Sequence, residues 1–155
     1  MANLSEVYFY HVTSQTVFSA LPQLLSKAKD IGWTVFIRSK DIASLKLIDD
    51  AIWTAQPESF LPHAVLGSKN SEKCDILLGT EEDDSSNSDF LVALDGALIS
   101  TEEVSKYRRC ALLFDDKNSD EMNIAREQWK KFTEADIRAK YWSQETGTWG
   151  LKREN

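Results

Sequence analysis

The chain has 155 residues, a formal net charge of −7 and a mean hydropathy of −0.39. This length fits one domain with a sizeable core, so we expect residues 1–155 to form a single domain. No apolar run approaches the roughly 18 residues that a membrane helix needs. The first residues have no basic region followed by an apolar stretch, so we expect no secretory signal. An acidic chain does not attract phosphate backbones over its whole surface, so we expect no strong direct nucleic-acid binding of that kind, and only a local basic patch is left as an alternative.

The two cysteines, Cys74 and Cys110, lie in or beside apolar, strand-like runs. This placement predicts buried free thiols in a reducing compartment rather than a disulfide framework. With two histidines and no CxxC pair, the chain offers no metal-ligand spacing. We therefore expect a cytoplasmic protein with no membrane partner, no metal and no cofactor.

The amino-terminal part of the chain predicts a strand followed by a helix. Val7 to Val12 is a short run of aromatic and β-branched residues, which favours a strand. The next apolar residues recur every three or four positions and form one helical face: Leu21, Leu24, Leu25, Ala28 and Ile31. Ser19 is the expected N-cap, Pro22 then falls in the first turn, and Gly32 ends the helix.

A second strand and helix follow directly. Trp33 to Ile37 predicts a strand, and Ser39 is the expected cap of the next helix. The apolar face of that helix comprises Ile42, Leu45, Ile48, Ala51 and Ile52. We expect the helix to end where the segment Trp53 to His63 begins, with the Trp53 indole packed inward.

The middle of the chain predicts three strands around an acidic loop. Cys74 to Gly79, Phe90 to Gly96 and Cys110 to Phe114 are apolar runs of strand length. Glu81 to Asp89 is acidic and serine-rich, which is typical of a surface loop. A short helix is expected near residues 100–107.

The carboxy-terminal part predicts one long helix from about Ser119 to about Arg138, followed by a less regular stretch over residues 141–152. Strands that alternate with helices indicate the α/β class. The expected architecture is a single Rossmann-like domain, with a largely parallel sheet and helices on both faces.

The chain lacks the residues that hold a nucleotide on such a fold. Nucleotide-binding α/β domains place glycines after the first strand, so that the backbone can approach phosphate at a helix N-terminus. Here that turn reads HVTSQTVFSAL and contains no glycine, and no P-loop pattern occurs elsewhere. We therefore expect no nucleotide-binding loop.

The candidate catalytic residues are His11, His63 and Asp95. Strand ends of a parallel sheet are where active-site groups often lie, and His11 and Asp95 each lie at the end of a predicted strand. A hydrogen bond at a strand end or in a loop explains each histidine more simply, and an Asp-Gly turn explains Asp95 equally well. A small α/β enzyme with a cleft formed by these three residues remains the alternative function.

Three segments, in chain order, resemble the chi subunit family of bacterial DNA polymerase III. The most specific is Ile48 to His63, IDDAIWTAQPESFLPH, which is similar to the family's helix end followed by a proline and Phe-x-Pro-His. The second is Ala125 to Phe132, AREQWKKF, and the third is a tryptophan at the end of the fold, Trp149. The resemblance also includes the aromatic first strand and extends over nearly the whole chain.

The resemblance implies a Rossmann-like fold without a nucleotide site and a non-catalytic replication adaptor. Such proteins link single-stranded-DNA-binding protein, through its acidic, Phe-terminated C-terminal tail, to the clamp loader through the psi subunit. One departure is the acidic loop Glu81 to Asp89, where a more basic segment is expected.

The last helix carries the candidate site for this tail. Arg126, Trp129 and Lys130 are spaced i, i+3 and i+4, so they share one helix face. A basic pair beside an indole favours binding of a peptide carboxylate and an aromatic side chain. The alternative places Trp129 in the core with both cations solvated. The family carries a further basic residue where this chain has Met122.

The proline-rich segment carries the candidate site for psi or another clamp-loader subunit. Phe60 lies in a loop between Pro57 and Pro62, with His63 following. Proline lowers the entropy of the free loop, which would preorganise an exposed ring for a partner. The residues alone favour a loop that inserts Phe60 into its own core. The resemblance implies instead that Phe60, Pro62 and His63 contact the partner.

Overall fold

The computed structural model describes residues 5–13, 15–55, 63–66, 68, 71, 74–81, 83, 88–144 and 149–155. Within these residues one sheet has the strand order β3-β4-β2-β5-β6-β1-β7-β8. The strands are β1 Glu6–Val12, β2 Val35–Ser39, β3 His63–Val65, β4 Ile76–Thr80, β5 Phe90–Ala93, β6 Arg109–Asp115, β7 Ala139–Ser143 and β8 Gly150–Glu154. All neighbouring strands are parallel except β7 and β8.

Helices cover both faces of this sheet, which confirms the predicted α/β class. The helices are α1 Val17–Asp30, α2 Ile42–Ala55 and α3 Ser119–Glu134, with a short 3-10 helix at Val104–Lys106. The core beneath α1 and α2 includes Leu21, Leu25, Val35, Ile37, Ile48 and Ile52. The core beneath α3 includes Phe9, Phe36, Leu112, Ala125 and Phe132. Alternate residues of the central strands supply the two cores, because successive strand side chains point to opposite faces.

The first two helices begin at different caps from those predicted. Thr16 caps α1, and its side chain accepts a hydrogen bond from the backbone N–H of Ser19 at 3.1 Å. Because the helix begins at Val17, Pro22 lies in its second turn rather than its first. Asp41 takes the place predicted for Ser39, since its Oδ1 accepts the N–H of Ser44 at 3.0 Å. Short polar side chains were available at several positions, and the propensity for capping does not choose among them.

The last helix and the strands around it also differ from the prediction. α3 ends at Glu134 rather than near Arg138, and Asp136 then takes a positive φ of 58°. The chain leaves the helix there and continues directly into β7. Both β7 and β8 overlap the stretch predicted to be irregular, and β8 is almost wholly exposed. An exposed edge strand lacks the apolar alternation by which strands are predicted.

Trp53 lies in the last turns of α2 and is 55% exposed, so the prediction that it packs inward is wrong. Cys110 is buried, as predicted, and burial raises the pKa of its thiol, whereas Cys74 is only half-buried.

Among the described residues, no three His, Cys, Asp or Glu side chains lie close enough together to hold a metal ion. No helix in this part of the chain is long and apolar enough to cross a membrane.

Candidate functional site

One face of α3 forms the wall of a groove of about 400 Å³. The helix is well defined at its start, because the Asn118 side chain accepts hydrogen bonds from the N–H groups of Asp120 and Glu121, each at 3.1 Å. These acidic residues in the first turn also complement the helix dipole. The helical period then aligns four side chains along the groove: Met122, Ala125, Arg126 and Trp129.

The opposite side of the groove comes from the sheet. Phe9 of β1 and Phe114 of β6 lie beneath it, and Tyr141 of β7 lines its side. Lys152 and Arg153 reach it from the antiparallel edge strand β8. The result is an aromatic floor bordered by cations from two separate elements.

Trp129 combines the two roles that the sequence left open. Its ring meets Phe9 edge-on at 5.2 Å between centroids and Tyr141 at 6.3 Å, which fixes one side of the indole against the core. The side chain is nevertheless only half-buried and lines the groove. The guanidinium of Arg153 lies over the Trp129 ring at 5.7 Å from its centroid.

The charges around the groove are of one sign. Arg126, Lys152 and Arg153 are exposed, and no carboxylate is among the described residues that line the groove. Neither arginine forms an ion pair within the described part of the chain. On a chain of net charge −7, this concentration of cations favours an anionic ligand.

Lys130 is placed differently from its two predicted companions. It is exposed one turn beyond Arg126, but it does not line the groove. Met122, the position where a basic residue was expected, does line it and extends its apolar surface. The structure therefore brings together Arg126 and Trp129, and it adds Lys152 and Arg153, which the sequence reasoning missed.

A hydrogen-bonded chain behind the groove fixes the Tyr141 ring. The Tyr141 hydroxyl bonds to Nδ1 of His11, and Nε2 of His11 lies 2.8 Å from Oδ1 of Asp116. The imidazole also stacks on Phe114, with centroids 5.0 Å apart and planes 12° from parallel. His11 thus holds a groove-lining ring in place, which is the structural role that the sequence favoured for it.

The structure does not bring the three candidate catalytic residues together. His63 begins β3 and His11 lies near the carboxyl end of β1, so they lie at opposite ends of the parallel strands. Five strand spacings separate these strands, or about 24 Å. Asp95 has a φ of 59° and accepts hydrogen bonds from the hydroxyls of Ser39 and Ser44. The prediction of a cleft lined by all three residues is therefore wrong.

The place where related folds hold phosphate is already occupied by protein groups. The Thr16 side chain takes the Ser19 N–H at the start of α1. A polar cavity of about 610 Å³ lies beyond the carboxyl ends of β2 and β4. Its lining mixes the carboxylates of Glu81, Asp83 and Glu102 with the ammonium groups of Lys106 and Lys131, so it is not the concentrated positive site that a phosphate favours.

Arg38 and Glu103 form an ion pair beside this polar cavity, which Gln128 and Lys131 of α3 also line. Two hydrogen bonds of 2.9 and 2.7 Å join the guanidinium to the carboxylate, and Nη1 also donates to the Leu98 carbonyl at 3.0 Å. Burial opposes both charges, but the hydrogen bonds outweigh it. The pKa of Arg38 is therefore raised and that of Glu103 is lowered. The Ser100 N–H also donates to Glu103, at 2.7 Å.

A second exposed surface surrounds the end of α2. The Trp53 ring lies 4.9 Å from the ring of His63, and Nε2 of His63 lies 2.9 Å from Oδ1 of Asp49. His63 is 8% exposed, so it lies mostly beneath this surface. Phe60 and Pro62, predicted to contact the same partner, lie outside the described residues.

A comparison with known protein families matches most of the chain, including part of each of these two surfaces. A model of the family described as DNA polymerase III chi subunit, HolC, matches residues 4–140 of the chain. The match includes α2 and α3 and ends within β7, before the strand that carries Lys152 and Arg153. No curated protein matches the chain.

Proposed function

Because this chain belongs to the DNA polymerase III chi subunit family, we propose that it is a non-catalytic, cytoplasmic replication adaptor that links single-stranded-DNA-binding protein to the clamp loader. The family itself indicates an accessory subunit of the polymerase. The α3 groove is the observation that supports the first link of this adaptor.

The groove has the chemistry that an acidic, Phe-terminated tail requires. A terminal phenyl ring would enter the apolar space beside Trp129 and Phe9. The terminal carboxylate would accept a bidentate pair from Arg126, which no described carboxylate engages. Acidic side chains preceding it would face Lys152 and Arg153 across the groove.

Binding of a labelled peptide that ends in acidic residues and Phe tests this link. We expect Arg126→Ala to weaken binding by about 1.5–3 kcal/mol, the range for hydrogen bonds to charged groups. The binding should also weaken with added salt, because exposed charges are screened over about 8 Å at physiological ionic strength. Arg138→Ala is the matched control, since Arg138 is exposed and does not line the groove. If Arg126→Ala and Arg138→Ala bind the peptide alike, the tail site lies elsewhere.

The exposed end of α2 supports the second link, to psi or another clamp-loader subunit. An indole that is 55% exposed beside a buried His63 presents a rigid aromatic contact, which is the residue type that dominates protein interfaces. We place Phe60, Pro62 and His63 at the same contact, as the family resemblance implies.

Capture of purified clamp-loader subunits by the full chain tests this second surface. Trp53→Ala and Phe60→Ala should each reduce capture while the melting temperature changes little. Leu47→Ala is the matched control, because Leu47 is 58% exposed on the same helix but points about 120° away from Trp53. A loss of about 3–5 kcal/mol in the stability of Phe60→Ala would instead place that ring in the core.

A further inference from the structure

A second aromatic pocket, of about 310 Å³, lies on the opposite face of the sheet from the α3 groove. Four half-buried rings form what we call the aromatic face: Tyr8, Tyr10, Trp142 and Trp149. Lys27 of α1 and Arg109 of β6 border it. Neither the family match nor the proposed adaptor links account for this pocket.

The alternation of side chains along β1 places these rings together. Phe9 points toward α3, so Tyr8 and Tyr10 point to the other face, with centroids 6.1 Å apart. Tyr10 is paired with Trp142 of the neighbouring strand β7, whose ring lies 5.9 Å from that of Tyr8. Trp149 meets Tyr10 edge-on at 5.1 Å. Three rings on the parallel strands β1 and β7 and a fourth just before β8 therefore form a continuous array.

The charges that border this array are cationic. The Arg109 guanidinium lies between the rings of Tyr8 and Trp33, at 4.4 and 5.0 Å from their centroids. Lys27 is exposed, and neither cation forms an ion pair within the described part of the chain. No carboxylate is among the described residues that line the pocket.

The neighbouring groups do not cancel this positive charge. Glu6, which lies on the same face of β1, is 3.2 Å from Lys140 and is thereby compensated. Burial raises the pKa of Tyr10 to about 12, so its hydroxyl remains neutral at physiological pH. An anion approaching Lys27 and Arg109 would therefore meet no uncompensated negative charge among the residues that line the pocket.

We propose that the aromatic face binds single-stranded nucleic acid, with bases stacked on its rings and two phosphates held by Lys27 and Arg109. Aromatic side chains on adjacent strands of an open sheet provide stacking surfaces for successive bases, and cations beside them follow the backbone. An acidic peptide would match the two cations but would leave most of this ring array unused. With two phosphate contacts the binding is weak and local, in keeping with the chain's net charge of −7.

Fluorescence anisotropy of a labelled oligothymidylate, with the full chain and without any single-stranded-DNA-binding protein, tests the electrostatic half of this proposal. Two phosphate contacts predict a slope of about −1.4 in log K against log salt. Lys27→Glu removes one phosphate contact and adds a repelling charge, so it should reduce affinity by at least roughly eightfold at 50 mM salt and bring the slope to about −0.7 or nearer zero. Lys46→Glu makes the same change of charge on α2, outside the pocket, and should have little effect. Equal losses in the two variants, or no binding by the wild-type chain, would overturn the proposal.

Substitution of one ring tests the stacking half. Trp149→Ala should weaken the oligonucleotide by between about fivefold and about a hundredfold, while Trp149→Phe keeps a ring and should retain most of the affinity. Melting temperatures of both variants check the fold, because Trp149 also packs against the α1 side of the core. Equal affinity in Trp149→Ala and wild type would rule out stacking there.

The same variants separate this site from the proposed tail site. Lys27→Glu and Trp149→Phe should bind the acidic tail peptide as the wild-type chain does, because neither residue lines the α3 groove. If Lys27→Glu instead weakens the peptide and leaves the oligonucleotide unaffected, the pocket serves a protein partner and the nucleic-acid assignment is wrong.

Discussion

The two flanks of α3 each contain an arginine, and the two arginines have opposite surroundings. On one flank Arg38 is 5% exposed and joined to Glu103 by two hydrogen bonds. On the same flank, Oε1 of Gln128 accepts a hydrogen bond from the Ile99 N–H at 2.8 Å. On the other flank Arg126 is exposed, and no described carboxylate lies beside it.

This difference separates a charge that serves the fold from one that is available to a ligand. A buried guanidinium requires a partner within the protein, because the desolvation of an unpaired charge costs several kcal/mol. An exposed guanidinium keeps its hydration and can exchange water for an incoming carboxylate. The first flank is therefore expected to respond to mutation in stability, and the second in binding.

Glu103→Gln should produce the largest effect. It leaves the Arg38 charge buried without its counter-charge, and we expect a loss of about 3 kcal/mol in the free energy of unfolding. This value is at the low end of the range for buried pairs, because the Glu103 side chain is still 17% exposed. Urea denaturation measures the loss, and binding of the tail peptide by the folded protein should not change.

Glu102→Gln provides the matched control, since the neighbouring Glu102 is exposed and should change stability by less than about 0.5 kcal/mol. The double variant Arg38→Met/Glu103→Met removes both charges and should recover most of the stability lost in Glu103→Gln. A Glu103→Gln protein as stable as wild type would show that the pair contributes little, and the contrast between the two flanks would then fail.

The acid dependence of stability should come from the same pair. The pKa of Glu103 is lowered from its ordinary value of 4.5 in the folded chain. A carboxyl group with a lowered pKa stabilises the fold above the unfolded value, and this contribution disappears as the pH falls through the folded pKa. The difference in unfolding free energy between wild type and Glu103→Gln should be constant above about pH 5 and shrink below about pH 4.5. A difference that stays constant to pH 3 would contradict this assignment.

The paired flank could not be predicted from the sequence, whereas half of the binding flank could. Arg126 and Trp129 lie on one helix, and the helical period alone places them on one face. Arg38 and Glu103 are 65 positions apart, and their contact depends on how a strand end meets a loop after β5. No local spacing encodes such a contact.

Lys152 and Arg153 were missed for a related reason. They lie on β8, an exposed edge strand without apolar alternation, and only its antiparallel pairing with β7 brings it beside α3. Trp53 was assigned to the core because it follows the apolar face of α2, although the helix continues past it and turns its ring outward. The alternation of strands and helices, in contrast, was sufficient to predict the α/β class.

The smallest expected effects on peptide binding concern two cations, Arg153 on β8 and Lys130 on α3. Arg153 lies over Trp129 and lines the groove, so Arg153→Ala should weaken the tail peptide by about 0.5–1 kcal/mol, the range for an exposed cation–π contact. Lys130 lies outside the groove, so Lys130→Ala should cost less than about 0.5 kcal/mol and chiefly reduce the salt dependence. Peptide titrations of both variants at two salt concentrations measure the order. Should Lys130→Ala cost more than Arg153→Ala, the peptide follows the outer face of α3 rather than the groove between α3 and β8.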